Sequence, residues 1–216
     1  MTMPDTTTTP LELLREMGSA TIYEAQGGKG ALDHGIKPIH RKMRIAGPAL
    51  TLDVRPGDNL MLHYALLHAH PGDVLVVDAK GFLEAGPWGD VLTEQAVKQG
   101  LGGLVIHGAV RDADTIIEMG FPVFARGLSI KGTTKTQPGQ LNVPICIGDV
   151  TVRPGDIIVG DVDGLVVVAA DEVDQVIASS QARERTEQGF RERIRGGANT
   201  VDLLGLGDKL RHLNLG

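Results

Sequence analysis

Arg111 and Asp112 stand side by side after an apolar run, Leu104-Val105-Ile106, and a small-residue turn at Gly108-Ala109. A helical pattern follows over 112–119 and closes at Gly120. Arginine offers a planar fork of donors to a carboxylate, and aspartate offers hard oxygens to a divalent cation. The pair can therefore hold an anion and a cation together. The same residues also suit an ion pair with each other, and Asp112 suits a helix N-cap. A second candidate is the run Gly-Pro-Trp-Gly-Asp-Val-Leu-Thr at 86–93. Gly86 and Gly89 allow close backbone approach, and Gly89 to Leu92 open a predicted helix over 90–99. Free amides at a helix N-terminus make a site for a carboxylate. Asp90 reads either as the cap of that helix or as a carboxylate beside a metal.

These loops each follow an apolar segment, DVLVVDA and GLVIHG. If the two segments are parallel neighbours, both loops open at the carboxyl edge of one sheet, where open α/β sheets bind ligands. Further Val-, Ile- and Leu-rich runs fall at 45–54, 121–127, 143–148, 151–160 and 164–170, with helical patterns at 58–69 and 112–119 between the earlier ones. Strands alternating with helices predict a parallel core, and the shorter late connections predict added antiparallel strands. Hydrophobic residues make up 42% of the 216-residue chain but aromatics only 3%, so the core is aliphatic, as in strands buried on both faces.

The predicted division is a flexible tail over 1–10, a single α/β catalytic domain over 11–170, and a C-terminal helix and tail over 171–216 that suit oligomer contacts or a solvated face. Two helical pieces in 11–26 break at Gly18-Ser19, with Ser19 or Thr21 capping the second. The last helix starts from Asp171 as cap, buries Val173, Val176 and Ile177, and ends at Gly196-Gly197. Pro-Gly-Asp occurs at 56–58, 71–73 and 154–156, which is turn chemistry.

Net charge of -6 with scattered basic residues excludes a phosphate-backbone footprint, so no nucleic-acid partner is expected. Neither a secretory layout nor a membrane-length apolar stretch is present, and the expectation is a cytoplasmic protein with no membrane partner. Cys146, the one cysteine, sits in VPICIG and reads as core. His63, His68 and His70 are spaced five and two apart, which does not put them on one helical face. His107 reads as a strand-end histidine or pocket lining, Trp88 as a pocket wall or oligomer contact. Lys80 offers an alternative Schiff-base chemistry.

The segments ATIYEAQG, PGDN, GPWGDVLT, LVIHGAVRD, GFPVFARG and RPGDIIVGDVDGLVVV occur in order between about Leu11 and Leu204. In them the chain resembles the class II 4-hydroxy-4-methyl-2-oxoglutarate and 4-carboxy-4-hydroxy-2-oxoadipate aldolases, a family that also holds the RraA-like regulators of ribonuclease E activity. The resemblance implies a layered α/β fold like the phosphohistidine swivelling domain, with mixed sheets and a protruding C-terminal helix, assembled as a homotrimer or hexamer. It implies dependence on Mg2+ or Mn2+ and cleavage of a 4-hydroxy-2-oxo acid to pyruvate and a second 2-oxo acid, with oxaloacetate decarboxylation as a companion reaction. Gly89, Asp90, Val91 and Leu92 would hold the pyruvoyl carboxylate through their amides. Arg111 would bind the keto oxygen, Asp112 would be the one direct protein ligand of the metal, and Asp90 and Glu24 would order waters around it.

That chemistry is coherent. Retro-aldol cleavage leaves negative charge on the C2 oxygen of a pyruvate enolate, which a chelated cation stabilises. Arg111 adds a fixed positive charge, a donor contributing about 3–4 kcal/mol. A base, read as a water held by carboxylates, takes the 4-hydroxyl proton. One departure stands out: where those aldolases carry Gly-Glu-Leu-Gly near the C-terminus, this chain has Gly197-Ala198-Asn199-Thr200, leaving only Asp202 or Glu192 as nearby carboxylates. The rival expectation is an RraA-like regulator that binds and inhibits a ribonuclease without catalysis.

Overall fold

The computed structural model describes residues 8–215. β-Branched side chains fit a pleated, buried surface, and the Val- and Ile-rich runs form the strands. These are β1 (Lys37–Pro38), β2 (Ile45–Asp53), β3 (Val74–Phe82), β4 (Gly103–Val110), β5 (Val123–Leu128), β6 (Gln140–Leu141), β7 (Ile145–Ile147), β8 (Val150–Val152), β9 (Ile157–Gly160) and β10 (Leu165–Val168). The helices are α1 (Pro10–Met17), α2 (Ser19–Ala25), α3 (Leu60–Leu66), α4 (Asp90–Gln99), α5 (Ala113–Glu118), α6 (Val173–Arg195), α7 (Thr200–Leu203) and α8 (Gly207–His212).

The main sheet runs β1-β5-β4-β3-β2-β9-β10, with β6 beside β2. β2, β3, β4 and β5 pair in parallel, each joined to the next through a helix, while β9 and β10 extend the sheet antiparallel. This is the alternation the sequence predicts. α3, α4 and α5 bury Leu62, Leu66, Leu92, Ala96 and Ile116 against one face. The other face is covered by Leu32, Ile36, Met43 and the β7–β8 hairpin. α1, α2 and the first turns of α6 close over β9 and β10 through Leu14, Ile22, Val176 and Ile177. No helix among the described residues is long and apolar enough to cross a membrane.

Several local expectations are corrected. α1 begins at Pro10 with a capping box between Thr9 and Glu12, so Thr9 and Pro10 belong to a helix start; residues 1–7 of the expected tail lie outside the described residues. Neither Ser19 nor Thr21 caps α2: Gly18 holds the N-cap position, and Ser19 instead donates from its amide (2.8 Å) and hydroxyl (2.7 Å) to Asp161. α6 starts after Glu172 without a side-chain cap, because a turn from the Glu172 amide to the Ala169 carbonyl places Asp171 ahead of the helix. Cys146 is exposed. The two-residue period of β7 turns its neighbours Ile145 and Ile147 inward and the thiol outward. Trp88 is fully buried, stacked on Phe121 at 6.2 Å, with its Nε1 donating to Thr93 Oγ1 at 2.7 Å. It is core, and its polar tip is satisfied internally.

Asp73 and Asp156 close local turns by accepting the His70 and Arg153 amides. Asp58 does more. Only 3% exposed, it accepts the Leu60 amide on one oxygen and, on the other, the Thr134 hydroxyl (2.6 Å) and the Thr136 and Gln137 amides. It thereby ties the start of α3 to the loop after β5. Burial pushes its pKa up, but the bonds from Thr134, Thr136, Leu60 and Gln137 outweigh burial and bring it from 3.8 to about 2. A carboxylate depressed below its unfolded value stabilises the fold above that value, and its share is lost as pH falls through the folded pKa. Asp58→Asn should therefore cost roughly 2–3 kcal/mol at neutral pH, read by urea unfolding through Trp88 fluorescence. Between pH 3.8 and about 2, the wild type should lose more stability than the variant; parallel curves would count against the clamp.

Candidate active site

β3 and β4 are parallel neighbours, so the loops that follow them open at one sheet edge, and the loop after β5 joins them. Backbone bonds lace the three together: Arg111 amide to Trp88 carbonyl (2.9 Å), Ser129 amide to Val110 carbonyl (2.9 Å) and Gly86 amide to Lys131 carbonyl (3.0 Å). The pairing slips between Val77 and Phe82 and between Ile106 and Ala109, local irregularities that re-aim the strand ends.

Asp112 occupies the N-cap position of α5 in a left-handed conformation (φ 57) and makes no capping bond. A non-glycine residue there is strained by roughly 1–2 kcal/mol. Its carboxylate turns back toward α4 instead. Among the described residues it makes two contacts, both long and both on Oδ2: 3.4 Å from Arg111 Nε and 3.3 Å from the Asp90 amide. Gly89 permits this approach, since a Cβ at that position would collide with Asp112 Oδ2. Asp90 is the first residue of α4, with Gly89 as its uncapped N-cap, and its Oδ1 accepts the Val91 amide at 2.7 Å. Two of the chain's own carboxylates thus lie over the N-terminus of α4, where an incoming carboxylate would compete with them.

Asp90, Arg111, Asp112, Asp114, Leu128 and Ile130 line an open cleft of about 510 Å³. The side chains of Arg111 and Asp112 are 44% and 36% exposed, so both are reachable from solvent. A second cavity of about 230 Å³ is bounded by Gly89, Asp90, Val91, Leu92 and Arg111 together with Asn59, His63 and Lys135. The fold therefore gathers Gly89, Asp90, Val91, Leu92, Arg111 and Asp112. Glu24 is elsewhere: it lies on α2 and forms an ion pair with Arg183 of α6. Asp202 is engaged with Asn199 at the start of α7, and Glu192 with Gln188 on α6.

Asn59, His63 and Lys135 escaped the sequence reading. Asn59 belongs to what reads as a turn, and His63 to a loose histidine group. Their separation of four residues around the start of α3 was the available signal, because such positions share a helix face. His68 and His70 line a different cleft with Tyr64 and Asp73.

The structure also removes Lys80 from Schiff-base chemistry. Lys80 sits in a left-handed corner of β3 (φ 60), its ammonium between Asp53 (2.7 Å) and Asp78 (2.6 Å). Burial alone would lower its pKa, but the hydrogen bonds to Asp53 and Asp78 prevail and raise it above the ordinary lysine value. A Schiff base needs the free amine. His107 is a satisfied strand-end histidine, 3.3 Å from Asp78 and 3.9 Å from Asp33.

The donor set at Asp112 fits a hard cation. Its carboxylate is exposed, and no strong hydrogen bond consumes it. Among the described residues no three His, Cys, Asp or Glu side chains converge as a protein-only metal site. A cation here would take one protein oxygen and fill its other positions from water and ligand, as Mg2+ does. Borohydride added with pyruvate should leave the protein mass unchanged; a gain mapped to Lys80 would overturn the exclusion of that residue.

Residues 19–167 match the family model described as RraA-like: Aldolase/RraA. A protein provisionally named 4-hydroxy-4-methyl-2-oxoglutarate aldolase, from Halalkalibacterium halodurans, is 38% identical over 83% of this chain and 85% of its own length. Among solved structures, an uncharacterized protein from Pseudomonas syringae superposes with a TM-score of 0.78 at 29% identity, covering 90% of this chain and 96% of that one. Streptomyces coelicolor RraAS2, described as an unusual member of the RNase ES inhibitor RraA protein family, gives 0.75 at 30% identity over 85% of this chain and 96% of its own. Sequence and fold agree, and the chain belongs to the RraA-like family of aldolases and RraA proteins.

Proposed function

We propose that this chain is a divalent-metal-dependent lyase. It cleaves a 4-hydroxy-2-oxo acid such as 4-hydroxy-4-methyl-2-oxoglutarate or 4-carboxy-4-hydroxy-2-oxoadipate to pyruvate and a second 2-oxo acid, and it decarboxylates oxaloacetate. One observation carries the reading: Asp112 is held in a strained corner with its carboxylate unconsumed, beside the Arg111 guanidinium and the N-terminus of α4. Strain kept at an exposed charged residue points to function rather than stability. The name of the Halalkalibacterium relative supports the same reaction class.

The amides of Gly89 to Leu92, at the N-terminus of α4, orient the substrate carboxylate. Arg111, tethered by its own amide to Trp88, keeps its positive charge where the C2 oxygen gains negative charge. Asp112 would hold a Mg2+ or Mn2+ ion, which when bound would supply Lewis-acid polarisation of the 2-oxo group. Oxaloacetate passes through the same enolate, so the same residues serve its decarboxylation. Glu24, which lines neither cavity of its own chain and pairs there with Arg183, would enter this site from a second copy. A homotrimer or hexamer would also cover α7 and α8, which bury no residue and leave Leu204, Leu213 and Leu215 exposed. A purely ribonuclease-binding role has no use for an unconsumed carboxylate beside an arginine.

The test is pyruvate release from both substrate types, with and without EDTA. Activity should vanish on chelation, return with Mg2+ or Mn2+, and fall roughly 100-fold in Arg111→Met. Gly89→Ala, which pushes Asp112 out of its corner, should cost a comparable factor with an unchanged urea midpoint. EDTA-resistant turnover would sink the metal reading. No turnover at all, together with ribonuclease inhibition, would favour the regulator.

A further inference from the structure

Two buried polar atoms without a partner among the described residues, Asn59 Oδ1 and His63 Nε2, belong to residues lining the same cavity. Asn59 itself is 6% exposed. Its Nδ2 donates to the Pro87 carbonyl at 3.0 Å, which fixes the amide orientation and leaves Oδ1 as an acceptor with nothing to accept. Buried polar atoms are normally paired, so two orphans at one cavity point to a ligand that brings a donor to Asn59 Oδ1 and a hydrogen-bonding partner to His63 Nε2. Arg111 and Asp90 line this cavity as well as the cleft at Asp112, so the two spaces share a wall. Lys135 contributes an ammonium group, suited to an anionic far end of the ligand.

The charged groups lining the cavity beside His63 are Lys135, Arg111 and Asp90. Burial, then the Lys135 charge, lower the His63 pKa below the ordinary histidine value and so favour the neutral ring. With its proton on Nδ1, the neutral imidazole presents Nε2 as a base.

Resting on the lyase reading above, we infer that His63, in place of the carboxylate-held water expected from the sequence, is the catalytic base that takes the proton from the substrate 4-hydroxyl group. As the O–H proton moves to Nε2, the C3–C4 bond breaks and the C4 oxygen becomes the carbonyl of the second 2-oxo acid. The C3–C4 electron pair passes into the pyruvate enolate, whose oxygen faces Arg111. Water then protonates C3 to give pyruvate, and the resulting hydroxide takes the proton from the imidazolium, so the cycle is balanced. Oxaloacetate has no 4-hydroxyl to deprotonate; loss of CO2 leaves the same electron pair in the same enolate. The two reactions should therefore depend on His63 to different degrees.

The experiment compares wild type, His63→Gln and His63→Ala on 4-hydroxy-4-methyl-2-oxoglutarate and on oxaloacetate, with saturating Mg2+ and urea midpoints checked. Both variants should lose on the order of 100-fold in aldol cleavage, and at least tenfold more there than in decarboxylation. Free imidazole should partly restore cleavage in His63→Ala. In wild type, kcat/KM for cleavage should rise with pH through the histidine titration and then flatten; the rise should be missing in His63→Gln. Equal losses in both reactions, or cleavage untouched in both variants, would overturn the assignment. A wild type inactive on either substrate would overturn the lyase reading itself, and this inference with it.

Discussion

Asp112 approaches the backbone at Gly89 so closely that no side chain larger than a hydrogen fits between them. The rest of the sheet edge is arranged around that contact. It requires β3 and β4 to be parallel neighbours, so that the end of one and the helix after the other face each other. It requires the left-handed corner at Asp112, which turns the carboxylate away from its own helix α5 and toward α4. It also requires the amide of Arg111 to be tied to Trp88, which brings the guanidinium alongside. The cation-binding and anion-binding parts of the site are thus consequences of one close approach.

The scaffold under this edge is aliphatic, and its rigidity comes from satisfied polar groups as much as from packing. Trp88, the residue before Gly89, is anchored on both its ring and its indole nitrogen. Thr93, which accepts that nitrogen, passes its own hydroxyl to the Gly89 carbonyl at 2.9 Å. Asp58 fastens the loop carrying Lys135 to the start of α3, and Asn59 reaches from there to Pro87. The loop before α4 is therefore held from below by the core and from the side by α3. Such preorganisation keeps charged groups in place without reorganisation when a ligand arrives.

A second charged cluster lies on the opposite face of the sheet, where Asp33, Asp53, Asp78, Lys80, His107 and Arg126 meet. Its members pair with one another, and Lys80 is held there at a positive φ by two carboxylates. This separates two groups that look equally reactive on paper. Arg111 and Asp112 touch at 3.4 Å and remain exposed. Lys80 is bound on both sides and carries a fixed proton.

Period and punctuation made much of the fold legible from the chain alone. Alternating apolar runs and helical patterns foretold the parallel core and the antiparallel additions, because burial on both faces demands continuous Val, Ile and Leu. The loops at 86–92 and 108–112 were legible as neighbours, since small residues after buried strands mark the carboxyl edge. What the chain could not reveal were relations decided by packing between distant segments. Cap positions moved because Ser19 found Asp161 and a turn intervened before Glu172. Glu24 went to Arg183 because α2 packs on α6. Asn59, His63 and Lys135 came together only because Asp58 joins two segments some eighty residues apart. Residue types determined which chemistry was possible; the tertiary structure decided which of those residues stayed free to perform it, because a partner brought from far along the chain can neutralise a charge or leave it open.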